Sequence, residues 1–285
     1  MKIAITGATG QLGQLVIHYL LKEQAAANIV ALVRSPEKAE NLKAQGVEIR
    51  HFDYDAPETL VPALQGIDKL LLISANEIGR RTPQHKAVIE AAVNAKVPYI
   101  AYTSLLRADT SPLGLSQEHR ETESLIKNSG LSYTFLRNNW YIENYLASVA
   151  HVAETGTLLG AAKDGQINAA TRANYAEAAA KVLSGSGHDN KTYELASSES
   201  FSLADLAQTI AQVSGKAVQY QNLSATDYTQ GLLHAGLPEA LVYVIVDADV
   251  HTTNGAMYSD DKTLEQLIGH PTSTVIDAVK AAIHN

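Results

Sequence analysis

The sequence contains no cysteine among its 285 residues. It therefore cannot form a disulfide, use a thiolate nucleophile or bind a metal or an iron–sulfur cluster through cysteine. Carboxylates and histidines do not cluster at the spacing of metal ligands, and we predict that no metal is bound. Tryptophan occurs once, at Trp140, which makes this residue a candidate for aromatic contact with a flat ligand.

Excess basic charge and long apolar runs are also absent. The 22 lysines and arginines are outnumbered by 30 acidic residues, and the net charge is −8, which disfavours nucleic-acid binding. No apolar run approaches the roughly 18 residues of a membrane span, and the first predicted strand leaves no place for a signal peptide. We expect a cytoplasmic protein that binds neither nucleic acid nor membrane.

A glycine-rich turn near the start of the chain carries the strongest positive signal. An apolar β run at residues 3–6 is followed by Gly7, Gly10 and Gly13 in GxxGxxG spacing, and a helical pattern begins at once. Such a turn binds the pyrophosphate of a dinucleotide, because free N–H groups at the helix start face the anion. The first glycine permits the tight turn, the second lets the backbone approach the phosphates, and the third lets the helix pack closely. The alternative is a strand-to-helix turn that binds nothing.

Strand and helix patterns alternate about every 20–25 residues in the first half of the chain. This alternation predicts an α/β fold with a doubly wound parallel sheet, the Rossmann architecture. The predicted strands are residues 3–6, 28–33, 47–52, 69–73, 99–103 and 133–137, and the predicted helices are residues 11–22, 35–45, 57–64, 83–95 and 116–128. We predict a dinucleotide-binding domain over 1–137, rejoined by about 170–198, and a smaller substrate-binding α/β lobe over 138–285. In that lobe, Ser202 and Ser224 are predicted to cap helices.

The residue after the second predicted strand indicates which nicotinamide cofactor is bound. An acid there would bind the free 2′-hydroxyl of NAD, whereas a base would pair with the 2′-phosphate of NADP. Arg34 occupies this position and no acid precedes Glu37. The planar guanidinium suits phosphate, and Lys38 follows one turn later. NADP(H) is therefore favoured, the alternative being that Arg34 is a solvated loop residue.

Several segments together resemble the NmrA-like family of atypical short-chain dehydrogenases/reductases. The resemblance covers nearly the whole chain and is carried by TGATGQLG, VRSPEKA, FDYDAPETLVPALQGID, KLLLISA, YIAYTS and YTFLRNNWYIENY. It implies cofactor contacts at Gly7, Ala8, Thr9, Gly10, Gln11, Leu12, Gly13, Arg34, Asp53, Tyr54, Ser74, Ala75, Asn76, Thr103 and Ser104. It implies substrate contacts at Asn138, Asn139, Trp140, Tyr141, Ile142 and Glu143.

Ordinary short-chain dehydrogenases carry a YxxxK pair on the helix after the fifth strand, and this chain has none there. Tyr258 and Lys262 have the spacing but lie in an acidic segment far from that helix, and we treat them as coincidence. Hydride transfer to a quinone yields a hydroquinone anion, a weak base that accepts its proton late. The pair is then dispensable, and the catalytic candidates are Asn138, Tyr141 and His119. His119 would donate a proton or orient another group, unless it is a surface histidine.

The resemblance implies an NADPH-dependent quinone oxidoreductase that transfers hydride directly, without flavin or metal, to a small quinone-like substrate. A dye or an enone would suit the same chemistry. A redox sensor that binds NADP(H) without turnover is the alternative, since it would also lack the catalytic pair. A homodimer is compatible with the sequence. Trp140 and Tyr141 are candidates for packing as well as for substrate contact.

Overall fold

The structure is a computed structural model that describes residues 1–284. The chain divides into two compact units, each assembled from several segments. The first unit comprises residues 1–109, 117–138 and 172–195, and the second comprises 110–116, 139–171 and the residues from 196 onward. The assignment of dinucleotide binding to one domain and of substrate binding to the other stays a prediction.

A seven-stranded parallel sheet forms the first unit. The strand order β3-β2-β1-β4-β5-β6-β8 reverses direction between β1 and β4, and ligands of such sheets bind beyond the carboxyl ends of the strands at that switch point. The predicted doubly wound parallel fold is confirmed. Its strands are β1 (Ile3–Ile5), β2 (Ile29–Val33), β3 (Glu48–His51), β4 (Lys69–Leu72), β5 (Tyr99–Leu105), β6 (Ser132–Asn138) and β8 (Lys191–Leu195).

Helices cover both faces of this sheet. On one face, Leu70, Ile100 and Phe135 pack with Leu60 and Val88 into a buried apolar core. On the other face α1 packs on α8, whose alanine-rich sequence permits a close approach. The helices of this unit are α1 (Gln11–Leu20), α2 (Glu40–Ala44), α3 (Leu60–Ala63), α4 (Arg81–Asn94), α5 (Ser116–Asn128) and α8 (Arg172–Ser184).

The second unit is mainly helical and contains a two-stranded parallel sheet of β7 and β9. Ser202 begins α9 with a capping box, because its hydroxyl accepts from the Asp205 N–H while the Asp205 carboxylate accepts from the Ser202 N–H. Ser224 caps α10 in the predicted way. The elements are α6 (Glu143–Leu146), α7 (Val149–Thr155), β7 (Thr157–Gly160), α9 (Leu203–Ser214), β9 (Gln219–Asn222), α10 (Ala225–His234), α11 (Glu239–Thr252), α12 (Thr263–Ile268) and α13 (Val275–His284).

Two local predictions are wrong. Ser35 makes no side-chain cap, and the predicted helix 35–45 divides into a 3₁₀ turn at Pro36–Ala39 followed by α2. Strand β5 continues to Leu105, because its last residues pair in register with β6. Within residues 1–284, no helix is long and apolar enough to cross a membrane.

Candidate functional site

The turn between β1 and α1 has the geometry of a phosphate-binding loop. Gly7 adopts a left-handed conformation with φ +57°, which residues with a side chain rarely adopt. The Gly10 N–H donates to the Gly7 carbonyl over 2.9 Å and closes the turn. Gly10 is the N-cap of α1 and supplies no side chain to it.

Gly13 is required by close contact with this turn. A Cβ at Gly13 would lie 2.8 Å from the Ala8 Cα and closer still to the Gly7 carbonyl oxygen. The expectation from the sequence was that this glycine brings the helix near the sheet. The backbone it actually approaches is that of Gly7 and Ala8, so Gly13 sets the position of the phosphate loop itself.

The first turn of α1 presents unused hydrogen-bond donors. Within residues 1–284, the N–H groups of Gln11, Leu12 and Gly13 donate to no protein acceptor, and the first helical bond is from Gln14 to Gly10. These groups and the helix dipole favour an anion at this point. Ala8 and Leu12 are buried and therefore offer an anion their backbone only.

Arg34 follows the last residue of β2, where the adenosine ribose is expected. Its side chain is exposed and makes no hydrogen bond or ion pair within residues 1–284. The guanidinium therefore keeps its donors available for a 2′-phosphate. The phosphate loop and Arg34 together fit NADP(H).

Asp53 and Tyr54 lie in the segment after β3. The Asp53 carboxylate accepts from the Asp55 N–H over 3.0 Å, which folds the segment into a local turn. The Tyr54 ring packs edge-on against Phe52. Burial raises the pKa of Tyr54, and a hydrogen bond with Thr6 opposes that shift. Their predicted contact with the cofactor stays a prediction.

Ser74, Ala75 and Asn76 continue β4 beyond the sheet, at the switch point between β1 and β4. Ser74 and Ala75 are half-buried and Asn76 is exposed. Their main chain is held by side-chain acceptors, of which Thr103 Oγ1 receives the Ser74 N–H over 2.9 Å. Thr103 therefore contributes to the site indirectly.

Thr103 and Ser104 lie inside β5 and not at its end, because the strand is longer than predicted. Both are buried. The Ser104 hydroxyl donates to Glu123 over 2.7 Å, and Glu123 also forms a buried ion pair of 2.7 Å with Arg137. Each side chain makes an internal hydrogen bond, and the predicted cofactor contact of these two residues stays a prediction.

His119 is not a surface histidine, because its side chain is 5% exposed. Its Nδ1 lies 2.8 Å from the Tyr102 hydroxyl, and its Nε2 lies 3.5 Å from Arg81. Burial, followed by the charge of Arg81, lowers the pKa of His119 well below its ordinary value. The imidazole is therefore neutral and enclosed, and its predicted role, to donate a proton or to orient another group, stays a prediction.

The segment after β6 contains the predicted substrate residues. Asn138 ends the strand and is buried between Leu105 of β5 and Leu195 of β8 in the sheet register. Trp140, Tyr141 and Glu143 are half-buried, and their predicted contact with substrate stays a prediction, as does that of Asn138.

Asn139 and Ile142 have internal roles that the sequence prediction missed. The Asn139 amide donates to the carbonyls of Asn168 and Met257 over 3.2 and 2.9 Å. Ile142 is 2% exposed, and its N–H donates to the Ala170 carbonyl. Both residues fix the main chain of the second unit, and their predicted contact with substrate stays a prediction.

Tyr258 and Lys262 lie in an irregular segment before α12 and share no helix face, in keeping with coincidental spacing. Within residues 1–284, no group of three or more histidine and acidic side chains is arranged to hold a metal ion.

His85, which the sequence predictions did not include, contributes to the site through a backbone contact. Its side chain is fully buried, and Nε2 accepts from the Ala75 N–H over 2.9 Å. The signal was present in the sequence, since His85 shares the apolar stripe of α4 with Val88 and Ile89 at helical spacing.

Comparison with known proteins agrees with this geometry. The family model described as the NmrA-like family matches residues 1–279. Quinone oxidoreductase 2 of Escherichia coli (strain K12) is 54% identical over 277 residues, which are 97% of each chain. The crystal structure of an NADPH-dependent quinone oxidoreductase from Escherichia coli complexed with NADPH has a TM-score of 0.97 and 53% identity, covering 99% of this chain and 100% of that one.

A more distant structure has the same fold. Citrobacter sp. triphenylmethane reductase complexed with NADP(H) has a TM-score of 0.95 and 39% identity, covering 99% of this chain and 100% of that chain. The resemblance inferred from the sequence motifs is confirmed, and the chain belongs to the NmrA-like family.

Proposed function

We propose that this chain is an NADPH-dependent quinone oxidoreductase. The observation that carries the proposal is its 54% identity, over 97% of both chains, to an oxidoreductase of that substrate class. The first three N–H groups of α1 and the guanidinium of Arg34, none of which has a partner among residues 1–284, support it independently.

The first unit would hold NADPH by binding its charged phosphate groups at two places. The N–H groups at the start of α1 would bind the pyrophosphate, and Arg34 would bind the 2′-phosphate. When bound, NADPH supplies the hydride. The protein's task is to orient a flat acceptor and keep its oxygens hydrogen-bonded.

The proton requirement fits the residues present. A hydroquinone anion is stabilised by its aromatic ring, so protonation is not needed in the transition state and water can supply it. This accounts for the missing Tyr–Lys pair and for a neutral His119. Asn138 and Tyr141 are proposed to contact the acceptor, and no flavin or metal is required.

The test is a steady-state assay of NADPH and NADH oxidation with small benzoquinones. One equivalent of hydroquinone should form for each NADPH that is oxidised. A preference for NADPH without added flavin or metal would support the proposal. NADPH binding with oxidation at the background rate across the quinones would refute it and favour the redox sensor. A triphenylmethane dye belongs in the panel, because a reductase of such dyes is 39% identical. Cytoplasmic location and a homodimer stay predictions.

A further inference from the structure

The backbone that follows β4 is held in an unusual way. Three successive N–H groups, of residues 73 to 75, donate to side chains instead of to a neighbouring strand. Each bond is 2.9 Å long, and the acceptors are Thr6 Oγ1, Thr103 Oγ1 and His85 Nε2, in that order. The path of the chain at this point is therefore set by three side chains, which come from the residue after β1, from β5 and from α4.

The third of these bonds fixes the protonation state of His85. A backbone N–H can only donate, so Nε2 carries no proton and Nδ1 must carry it. Nδ1 lies 2.9 Å from the Thr122 hydroxyl, which donates onward to the Glu118 carbonyl. Burial, with a smaller effect of Arg81, lowers the pKa of His85 to about 3. The ring is thus neutral and keeps one tautomer at any ordinary pH.

The carbonyl of Ala75 is held as well. Arg81 Nε donates to the Ala75 carbonyl, while the Arg81 backbone N–H is bound by Glu118 over 3.0 Å. Ala75 is therefore bound at both its N–H and its carbonyl. Glu118 belongs to α5, and its carbonyl also receives the Thr122 hydroxyl, so α4 and α5 act together on this one residue.

We propose that His85 is a positioning residue for the dinucleotide, acting through the Ala75 N–H to fix the backbone of Ser74–Asn76 where it meets the middle of the cofactor. The inference rests on the proposed function, because it requires NADP(H) to bind beyond β4. Thr122 completes the arrangement by holding the imidazole in the accepting tautomer. An apolar residue at position 85 would leave the Ala75 N–H without its acceptor and release this segment.

The experiment compares His85→Leu with His85→Gln, whose amide oxygen can replace Nε2 as acceptor. Dissociation constants are measured by titration with NADPH and with adenosine 2′,5′-bisphosphate, which reaches only the adenosine half of the site. We expect His85→Leu to weaken NADPH binding about tenfold or more and to leave bisphosphate binding within about twofold. We expect His85→Gln to restore most of the NADPH affinity. His151→Leu, at an exposed histidine of α7, is the control for loss of an imidazole.

The possible outcomes are distinct. Equal weakening of both ligands by His85→Leu would overturn the inference, since general loss of structure would explain it. Unchanged NADPH binding by a folded His85→Leu protein would overturn it as well. Failure of the wild-type protein to bind NADPH would instead overturn the proposed function. Because His85→Leu could fail to fold, Thr122→Val offers a second route, and it should weaken NADPH binding selectively while Thr122→Ser does not.

Discussion

Replacement of Gly13 by alanine tests the phosphate loop most directly. The added Cβ would lie 2.8 Å from the Ala8 Cα, against the roughly 3.5 Å of an ordinary carbon–carbon contact. Its other neighbours are backbone atoms of Gly7, which cannot rotate away as a side chain would. The loop must therefore move by at least about 0.7 Å.

The effects on stability and on activity should separate. Overpacking costs about 1–3 kcal/mol, while alanine in a helix regains about 1 kcal/mol relative to glycine. The net loss of unfolding free energy should be about 0–2 kcal/mol, small enough for the protein to stay folded. A displacement near 1 Å at the phosphate loop can reduce kcat/KM about a hundredfold. We therefore expect a folded protein with a large defect towards NADPH.

The assay is NADPH-dependent quinone reduction, with urea denaturation as the measure of stability. Gly231→Ala is the matched control, because Gly231 lies within α10 and a Cβ there would meet nothing within 4 Å. It should gain up to about 1 kcal/mol of stability with unchanged kinetics. If Gly13→Ala kept kcat/KM for NADPH within twofold of the wild-type value, the geometric argument for this glycine would be wrong.

Three further predictions concern charged groups. Arg34→Ala should raise the KM for NADPH about 10–100-fold and leave the KM for NADH within about twofold, and equal loss for both cofactors in steady-state kinetics would show that Arg34 does not bind the 2′-phosphate. Arg137→Met leaves the buried carboxylate of Glu123 without its ionic partner and should lower the free energy of unfolding by about 3–5 kcal/mol, measured by urea denaturation. The control is Lys86→Met, which breaks an exposed ion pair and should lower it by at most about 0.5 kcal/mol. Similar losses for the two variants would contradict the burial of the Arg137–Glu123 pair. Burial raises the pKa of Asp249 to about 6 in the folded protein, so the carboxyl group binds its proton more tightly there than in the unfolded chain. Its contribution to the free energy of unfolding therefore falls as pH rises from about 4 to 6. Asp249→Asn should therefore gain about 3 kcal/mol relative to wild type between pH 4 and pH 8, and a constant difference across that range in denaturation curves would refute the shift.

Local features of the fold could be predicted from the sequence because the residues that determine them lie close together in the chain. The GxxGxxG turn, the apolar run of β4 and the Ser202 capping box each depend on neighbours in the chain. Strand β5 was predicted too short because its last residues are defined by pairing with β6, about thirty residues away. The division of 35–45 into a 3₁₀ turn and α2 was missed because a serine followed by proline also begins regular helices.

The site was less predictable because its polar residues act across long separations. His85 meets Thr122 37 positions along the chain, and nothing in either local sequence specifies that contact. Asn139 was predicted to contact substrate, yet its amide donates to the Met257 carbonyl, 118 residues away along the chain. Motif resemblance points to a segment but does not distinguish a residue that contacts a ligand from a neighbour that holds the backbone.

The interleaving of the two units limits how this protein can be made and divided. The chain passes from one unit to the other at five points, after residues 109, 116, 138, 171 and 195. During synthesis, β6 stays an unpaired sheet edge until β8 has left the ribosome, and such an edge invites association with other chains. Neither unit is a contiguous stretch that could be excised, exchanged between relatives or expressed alone. Circular permutation at an exposed loop would preserve the sheet, whereas truncation anywhere before residue 195 would remove its outer strand.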